Sequence, residues 1–553
     1  MGKQGAYRGF VASQSNVKCK LGIKTTKQNG GTLILIKLLI LVVFFTIIVA
    51  IGLYCRKKAV DVNSFVLGGR SIGPWMTAFA YGTTYFSAVM LVGYSGQFGW
   101  RFGVSSTWIG IGCAVIGSLL SWVVLARRTR IMTQHLSSAT MPDFFGSRYN
   151  SKPLKLVASA IIFVFLIPYT ASLYNGLSRV FAMAFNIDFA IVIVIMAVLT
   201  GIYVIAGGYW ATAINDFIQG SVMLIGVIAL VGAVLNTNGG LMPSMDALAR
   251  VSDPAVSDSP GVFASFLGPD PTNLLGVLIL VSMGTWGLPQ MIQKFYAIQS
   301  EKQIAKGTII STFFAIVIAG GGFFIGGFGR LFADSTAYRP DGGVIYDSII
   351  PGMLSGYSDL LMGVMILLIL AASMSTLASL VMTSASTLTL DFIQGTVVKT
   401  MGEKKKVLTI RLLIVVFIIT SAAIAIFQYN NSVVFIAQLM GVSWGALAGS
   451  FLAPYLYGLY WKRTTKIAAW SSMAFGTLFN IMVFLTTVDV LPKSLLPELL
   501  RSPINAGAFT MLFGLILVPV VSLLTPKPNK EYVDKCFSCY SENTVIVKDT
   551  LVI

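Results

Sequence analysis

"TAFAYGTTYFSAVMLVGYSG" occupies residues 77–96 and "LVSMGTWGLPQMIQ" occupies residues 280–293. Each lies in an apolar run long enough to cross a bilayer, and each holds residues that oppose a continuous helix. In the first, Gly82 is followed by Thr83, Thr84 and Tyr85; in the second, Gly284, Gly287 and Pro289 stand close together. Proline removes a backbone donor and clashes with the preceding turn, and glycine costs about 1 kcal/mol relative to alanine inside a helix. Both spans are therefore predicted to break near their middle. The second break lies five spans after the first, with four spans between them, which places the two in opposite orientations. Gly and Pro are common in membrane helices, so either break alone says little. Matched interruptions in two inverted halves, however, point to the central site of a transporter.

The composition supports this frame. Of 553 residues, 56% are hydrophobic and 11% charged, with a mean hydropathy of +0.81. Soluble domains do not have this balance. The pattern predicts an all-α polytopic membrane protein of about 13 spans, each crossing ~30 Å of hydrocarbon. Their centres fall near residues 43, 86, 116, 168, 196, 223, 284, 317, 372, 418, 446, 476 and 514.

The formal charge of +18 would suit a nucleic-acid partner, but its distribution excludes that reading. One set of connections carries Arg56–Lys58, Arg127, Arg128 and Arg130, Lys302 and Lys306, Lys404–Lys406, and Lys462–Arg463. The alternate set is acidic, with Asp246, Asp253, Asp258 and Asp270 in one loop and Asp334, Asp341 and Asp347 in another. Basic loops favour the cytoplasm, which predicts the amino terminus outside and the carboxyl terminus inside a multi-pass cell-membrane protein.

Three regions are predicted along the chain. Residues 1–32 carry six Lys or Arg and no acid, against the alternation, and are read as a disordered basic extension. A non-native upstream start is the preferred explanation, and a tolerated exception to the charge rule is the second. Residues 33–525 form the membrane domain. Residues 526–553 read as a polar, mobile cytoplasmic tail. The tail holds a CxxC pair, Cys536 and Cys539, but a closed zinc site needs four ligands. The only histidine, His135, is expected to lie far from the pair, in a cytoplasmic loop. A partial metal site and a reduced, neutral pair both remain open.

"AASMSTLASLVMTSAS" (371–386) then poses its own question, because an apolar run fills with hydroxyls and meets no charge before Asp391. Hydroxyls in hydrocarbon can bond back to the preceding turn or join helices. Ala372, Ser375 and Thr376, however, stand at i, i+3 and i+4 and share one face. Unwound carbonyls at the break near residue 83, with these hydroxyls, would suit a sodium ion without burying a fixed charge.

At these motifs the chain resembles the sodium:solute symporter family, over about residues 33–525. The motifs are "LGGRSIGPW" (67–75), "GGYWATAINDFIQG" (207–220), "GLPQ" (287–290) and "AASMSTLASLVMTSASTLTLD" (371–391). The resemblance implies an inverted-repeat (5+5) core of the LeuT type, spanning the second to eleventh spans. It also implies a sodium site from the backbone of Thr83, Phe86 and Ala372 and the hydroxyls of Ser375 and Thr376. Asp216 matches an acidic residue that some members use for a second sodium, here with Ser375 and Ser379. Ala378 stands where those members have another serine. A salt bridge or gate is the alternative role for Asp216.

Substrate is expected beside the sodium, at Thr84, Tyr85, Ser87, Thr285 and Trp286. Proline symporters resemble the chain but carry aspartate where Tyr85 stands, and Trp and Tyr where Val281 and Thr285 stand. The stretch 84–103 is more similar to pantothenate, monocarboxylate and multivitamin symporters, which implies an organic carboxylate. An amino acid or sugar substrate is the alternative, and an ion channel or a transporter-like sensor is the rival class. No acid–base pair, metal triad or activated nucleophile lies near a break, so an enzyme is not expected. Neither quoted segment, 77–96 nor 280–293, holds Lys or Arg, so an anion would depend on the sodium ion and on helix amino-terminal ends. The expected partners are thus a small solute, Na+ and the lipid bilayer, with no nucleic acid and no obligate protein partner.

Overall fold

The computed structural model describes residues 30–541, apart from 186, 255, 258, 334–336, 339–342, 355–356, 358, 399 and 432–435. Residues 1–29 of the expected extension, residues 542–553 of the tail, and Asp258, Asp334 and Asp341 lie outside the described residues. The chain divides after Val43 into two compact units, and the helical core lies in the second, Phe44–Ile553.

Helix dominates, and among the described residues β pairing is limited to isolated bridges. After α1 (Gly30–Cys55), the first broken span comprises α2 (Pro74–Tyr85) and α3 (89–102). It is followed by α4 (107–135), α5 (Lys152–Phe185) and α6 (Phe189–Thr237). The second broken span comprises α7 (Pro271–Gly284) and α8 (Pro289–Ala297). Then come α9 (304–326), α10 (Asp359–Thr387), α11 (Glu403–Asn431) and α12 (Ile436–Tyr460). Outside this five-plus-five core lie α13 (Lys466–Thr487) and α14 (Pro503–Leu524), and a short α15 (Lys530–Phe537) ends the described chain.

Eleven helical stretches among the described residues are long and apolar enough to cross a bilayer, fewer than the spans expected from sequence. Two of the eleven, Val89–His135 and Phe189–Thr237, have 47 and 49 residues, more than twice the ~20 that one crossing needs. Each turns at a glycine in a conformation that side chains avoid: Gly103 at φ 65°, ψ −145° and Gly208 at φ 57°, ψ −150°. Dividing the chain at these turns would account for the difference in count.

Burial separates an inner from an outer set. The apolar window of α10 is 89% buried and that of α12 is 94% buried, against 33% for α11 and 39% for α13. The hydroxyl ladder therefore faces protein. Exposed Ile191, Val194, Ile195, Val198 and Ile202 line one stripe of α6, and Leu408, Leu412, Val415 and Ile419 one stripe of α11. Such i, i+3, i+4, i+7 stripes are what a lipid-facing helix presents.

The alternate loops meet at opposite ends. At the basic end, Arg127 pairs with Glu301 at 2.9 Å, Arg130 donates to the Ile298 carbonyl at 2.7 Å and Arg148 to the Gly458 carbonyl at 2.8 Å. Arg70 donates to the Ser138 carbonyl at 2.6 Å and to the Tyr296 carbonyl at 3.3 Å. Burial, with Arg130 nearby, pushes the Arg70 guanidinium down to about 10, still charged at neutral pH. At the acidic end, Arg330 pairs with Asp253 at 2.9 Å and Arg101 with Asp270 at 3.3 Å.

Two expectations for the tail are corrected. Up to residue 541 it is packed rather than loose: Val533, Cys536 and Phe537 are buried on one face of α15, and the Arg148 guanidinium stacks on Phe537 at 5.0 Å. This apolar face within a polar segment holds the helix down. His135 is not remote from the cysteines either, because its Nε2 lies 2.9 Å from the Lys535 carbonyl, next to Cys536. Cys539 Sγ turns back toward the Cys536 carbonyl at 3.5 Å, and among the described residues no three His, Cys, Asp or Glu side chains gather to hold a metal.

The closest backbone approach tests the packing. A Cβ on Gly99 of α3 would sit 1.9 Å from the Gly326 carbonyl carbon, whereas nothing lies within 4 Å of one on Gly232. Gly99→Ala is expected to destabilise the protein by about 1–3 kcal/mol, while Gly232→Ala does not. Thermal melting of both variants in detergent checks this.

Candidate functional site

The first break is a helix carboxyl end inside the protein. Phe86 leaves helical geometry at φ −97°, ψ 85°, and helix resumes only at Ala88. The last carbonyls of any helix lack intrahelical partners, and burial makes that costly. Those of Thr83 and Thr84 find theirs on α10. Thr83 O accepts from Ser375 Oγ at 3.1 Å and from Thr376 Oγ1 at 3.0 Å, and Thr84 O lies 3.4 Å from Thr376 Oγ1.

The same hydroxyls also face their own helix. Ser375 Oγ lies 2.9 Å from Ala371 O and 3.2 Å from Ala372 O, and Thr376 Oγ1 lies 3.1 Å from Ala372 O. Each hydroxyl has one proton to give. The two hydroxyl protons are thus divided between the Thr83 and Thr84 carbonyls at the helix end and the Ala371 and Ala372 carbonyls, which already accept helical N–H groups, so oxygen lone pairs outnumber donors here. This excess of lone pairs in a fully buried place is the chemistry of a small hard cation. Four of the five predicted sodium ligands, Thr83, Ala372, Ser375 and Thr376, are brought together. Phe86 lies at the break itself, next in the chain but outside this set of hydrogen bonds.

The substrate candidates divide. Tyr85 spans the two breaks, its hydroxyl donating to Val281 O on α7 at 2.8 Å. Its ring packs on Phe86 at 4.2 Å and near Trp444 of α12 at 6.2 Å. Gly117 is small because a Cβ there would meet the Tyr85 hydroxyl at 2.3 Å. Ser87 Oγ, Tyr169 OH and Trp444 Nε1 are buried and make no hydrogen bond of good geometry, although Tyr169 OH lies within reach of both of the others. They adjoin one another, with the Tyr169 and Trp444 rings 5.9 Å apart. Tyr169 and Trp444 are not among the residues expected from sequence, since two aromatics on distant helices leave no local signal.

Thr285 and Trp286 are positioned but occupied. Thr285 Oγ1 donates toward Gly117 O and Trp286 Nε1 toward Ile116 O, each at 3.0 Å. These carbonyls lie in a π-helical stretch of α4, Cys113–Leu120, whose wider turn frees backbone oxygens. In this conformation both side chains brace the second break against α4. The break itself comes at Leu288, in extended geometry (φ −80°, ψ 122°), with Pro289 opening α8.

A lysine escapes the sequence reading. Lys294 lies one residue past the segment 280–293, so the expectation that the broken spans lack a cation is corrected. It is buried on α8, and its Nζ donates to Ser379 Oγ at 2.9 Å and lies 3.7 Å from Asp216 Oδ2. Ser379 Oγ in turn shares a hydrogen bond of 2.8 Å with Thr84 Oγ1. Asp216 and Ser379, two of the three residues considered for a second ion, therefore converge on an ammonium. Ser375 bonds instead at the first cluster. A separate cavity of about 770 Å³ lies among α1, α6 and α11, lined by residues such as Leu53, Val198 and Ile418. It holds none of these candidates.

A profile of the sodium:solute symporter family matches residues 65–476. A sodium/proline symporter of Staphylococcus aureus (strain JH9) is 30% identical over 512 residues, 89% of this chain and 93% of that protein. The solved structure of a Na+-coupled sialic acid symporter, substrate-bound and outward-open, matches with a TM-score of 0.67 at 16% identity. It covers 90% of this chain and 99% of that one. At such identity the likeness is one of fold.

Ser375→Ala and Thr376→Ala each remove one oxygen from the cluster and are expected to raise the sodium concentration for half-maximal binding at least roughly tenfold, the worth of one hydrogen bond to a charged group. Stability should fall by only about 1 kcal/mol, because the remaining hydroxyl still donates to Thr83 O. Equilibrium binding of radioactive sodium to the purified variants measures the effect, and wild-type affinity in both would remove these ligands from the site.

Proposed function

The chain belongs to the sodium:solute symporter family, and from that premise we propose that it moves a small organic carboxylate into the cell with sodium, by alternating access. It is a multi-pass membrane transporter and not an enzyme. In this reading the basic end faces the cytoplasm, the amino terminus lies outside and the carboxyl terminus inside.

One observation favours a carboxylate: the buried polar groups of Ser87, Tyr169 and Trp444 beside the first break, which reach one another but form no hydrogen bond of good geometry. An indole N–H can only donate, and both hydroxyls can donate, so the group is complementary to an acceptor. Sodium at the Thr83–Thr376 cluster, four residues away along the chain at its nearer ligand, would add attraction for an anion. Second is a zwitterionic amino acid, favoured by the similarity to a sodium/proline symporter. Its ammonium would need an acid or carbonyls, and the nearest buried acid, Asp216, is already paired with Lys294.

One sodium entering down ~100 mV releases ~2.3 kcal/mol, and a tenfold gradient adds ~1.4 kcal/mol. Together these support about a 500-fold accumulation of a neutral solute per sodium. For a monoanion carried with one sodium the electrical part cancels, leaving about tenfold.

Uptake into proteoliposomes of labelled carboxylates, proline and sugars, with and without a sodium gradient, tests the reading. Saturable, sodium-dependent accumulation of a carboxylate is expected. Downhill flux without accumulation would indicate a channel, and accumulation of proline or a sugar alone would replace the carboxylate. Trp444→Phe keeps the ring but deletes the donor, so KM for the carboxylate should rise roughly 10- to 100-fold, with kcat little changed.

A further inference from the structure

We propose that Lys294 is a built-in cation that takes the place of a second sodium ion, so that this chain binds one sodium per molecule. The inference rests on the sodium-coupled reading above and adds its stoichiometry. Asp216 is fully buried on α6, in the helical segment after the Gly208 turn. Neither of its carboxylate oxygens has a hydrogen-bond partner, and the Lys294 ammonium stands 3.7 Å from Oδ2. A buried carboxylate without a counter-charge is strongly unfavourable. Sodium and an ammonium satisfy it with the same single positive charge.

The surroundings fit an ammonium better than an additional metal ion. Lys294 Nζ donates to Ser379 Oγ at 2.9 Å and lies 5.2 Å from the centre of the Tyr209 ring. Those are a donor's partner and a cation's partner. Ala378, beside Ser379, offers no side-chain oxygen. The lysine also does what a second ion would do mechanically. Through Ser379 and the 2.8 Å contact with Thr84 Oγ1, it ties α6, α8 and α10 to the broken end of α2. Because it is covalently part of α8, this charge stays with the protein in every cycle, and only the sodium at Ser375 and Thr376 is delivered.

The test is equilibrium binding of radioactive sodium to the purified full-length chain in choline buffer. Wild type should saturate at one sodium per chain, with no cooperativity. Lys294→Ala leaves Asp216 without its counter-charge and opens space for an ion, so it should bind two. Lys294→Met combined with Asp216→Asn removes both charges at similar volume, guards against a fold too unstable to assay, and should return to one. Two sodium ions on the wild type, or on the double variant, overturn the inference while leaving sodium coupling intact. A folded Lys294→Ala protein that still binds only one also overturns it. No sodium on the wild type would remove the sodium-coupled reading, and the inference with it.

Discussion

The Thr83 carbonyl is the point on which the structure turns. It belongs to a helix that stops in the middle of the protein, where water cannot satisfy its last oxygens. Two hydroxyls from α10, Ser375 and Thr376, reach it at 3.1 and 3.0 Å. The break is tolerated because the ladder is there, and the ladder is polar because the break is there. A cation that entered would replace two weak donors with a full charge, so the join between α2 and α10 would tighten with ion occupancy. Sodium bound there would have a direct mechanical hold on the helix that bears Tyr85 and leads into Ser87.

The second break is held differently. Thr285, Trp286 and the Tyr81 hydroxyl bond to the Ile116 and Gly117 carbonyls of α4, the last at 2.7 Å. Tyr85 joins the two breaks through Val281 O. At the basic end the spans are clasped again, where Ile72 N donates to Ala297 O at 3.2 Å and Gln299 N to Ile72 O at 2.9 Å. Arg70 adds its bonds to the Ser138 and Tyr296 carbonyls. These bonds tie the two broken spans together at that end.

Much of this is legible in the residues. The Gly82–Phe86 and Gly284–Pro289 interruptions mark the breaks because backbone preference acts locally, and the loop charges sort to two ends because bilayer electrostatics act on composition. Ser375 and Thr376 are readable from their i, i+3, i+4 spacing with Ala372 on a helix too apolar to need them. What escapes depends on tertiary placement. Tyr169 and Trp444 lie on α5 and α12, and nothing local tells them from other membrane aromatics. Thr285 and Trp286 look like ligands by position, yet the π-helical turn of α4 gives them carbonyls to bind. Lys294 stands one residue past the quoted break and carries no local signal, and only packing shows it turned inward onto Asp216. The docked tail escapes because the apolar face of α15 is only two turns long.

In the proposed reading, sodium binds where the carbonyls of α2 meet the hydroxyls of α10. Backbone hydrogen exchange of the purified full-length chain, in saturating sodium and in choline, tests it most directly. Slower exchange is expected chiefly in residues 83–91 and 371–380 when sodium is present, with the protection lost in Thr376→Ala. Unchanged exchange in both segments, with protection arising elsewhere, would contradict it.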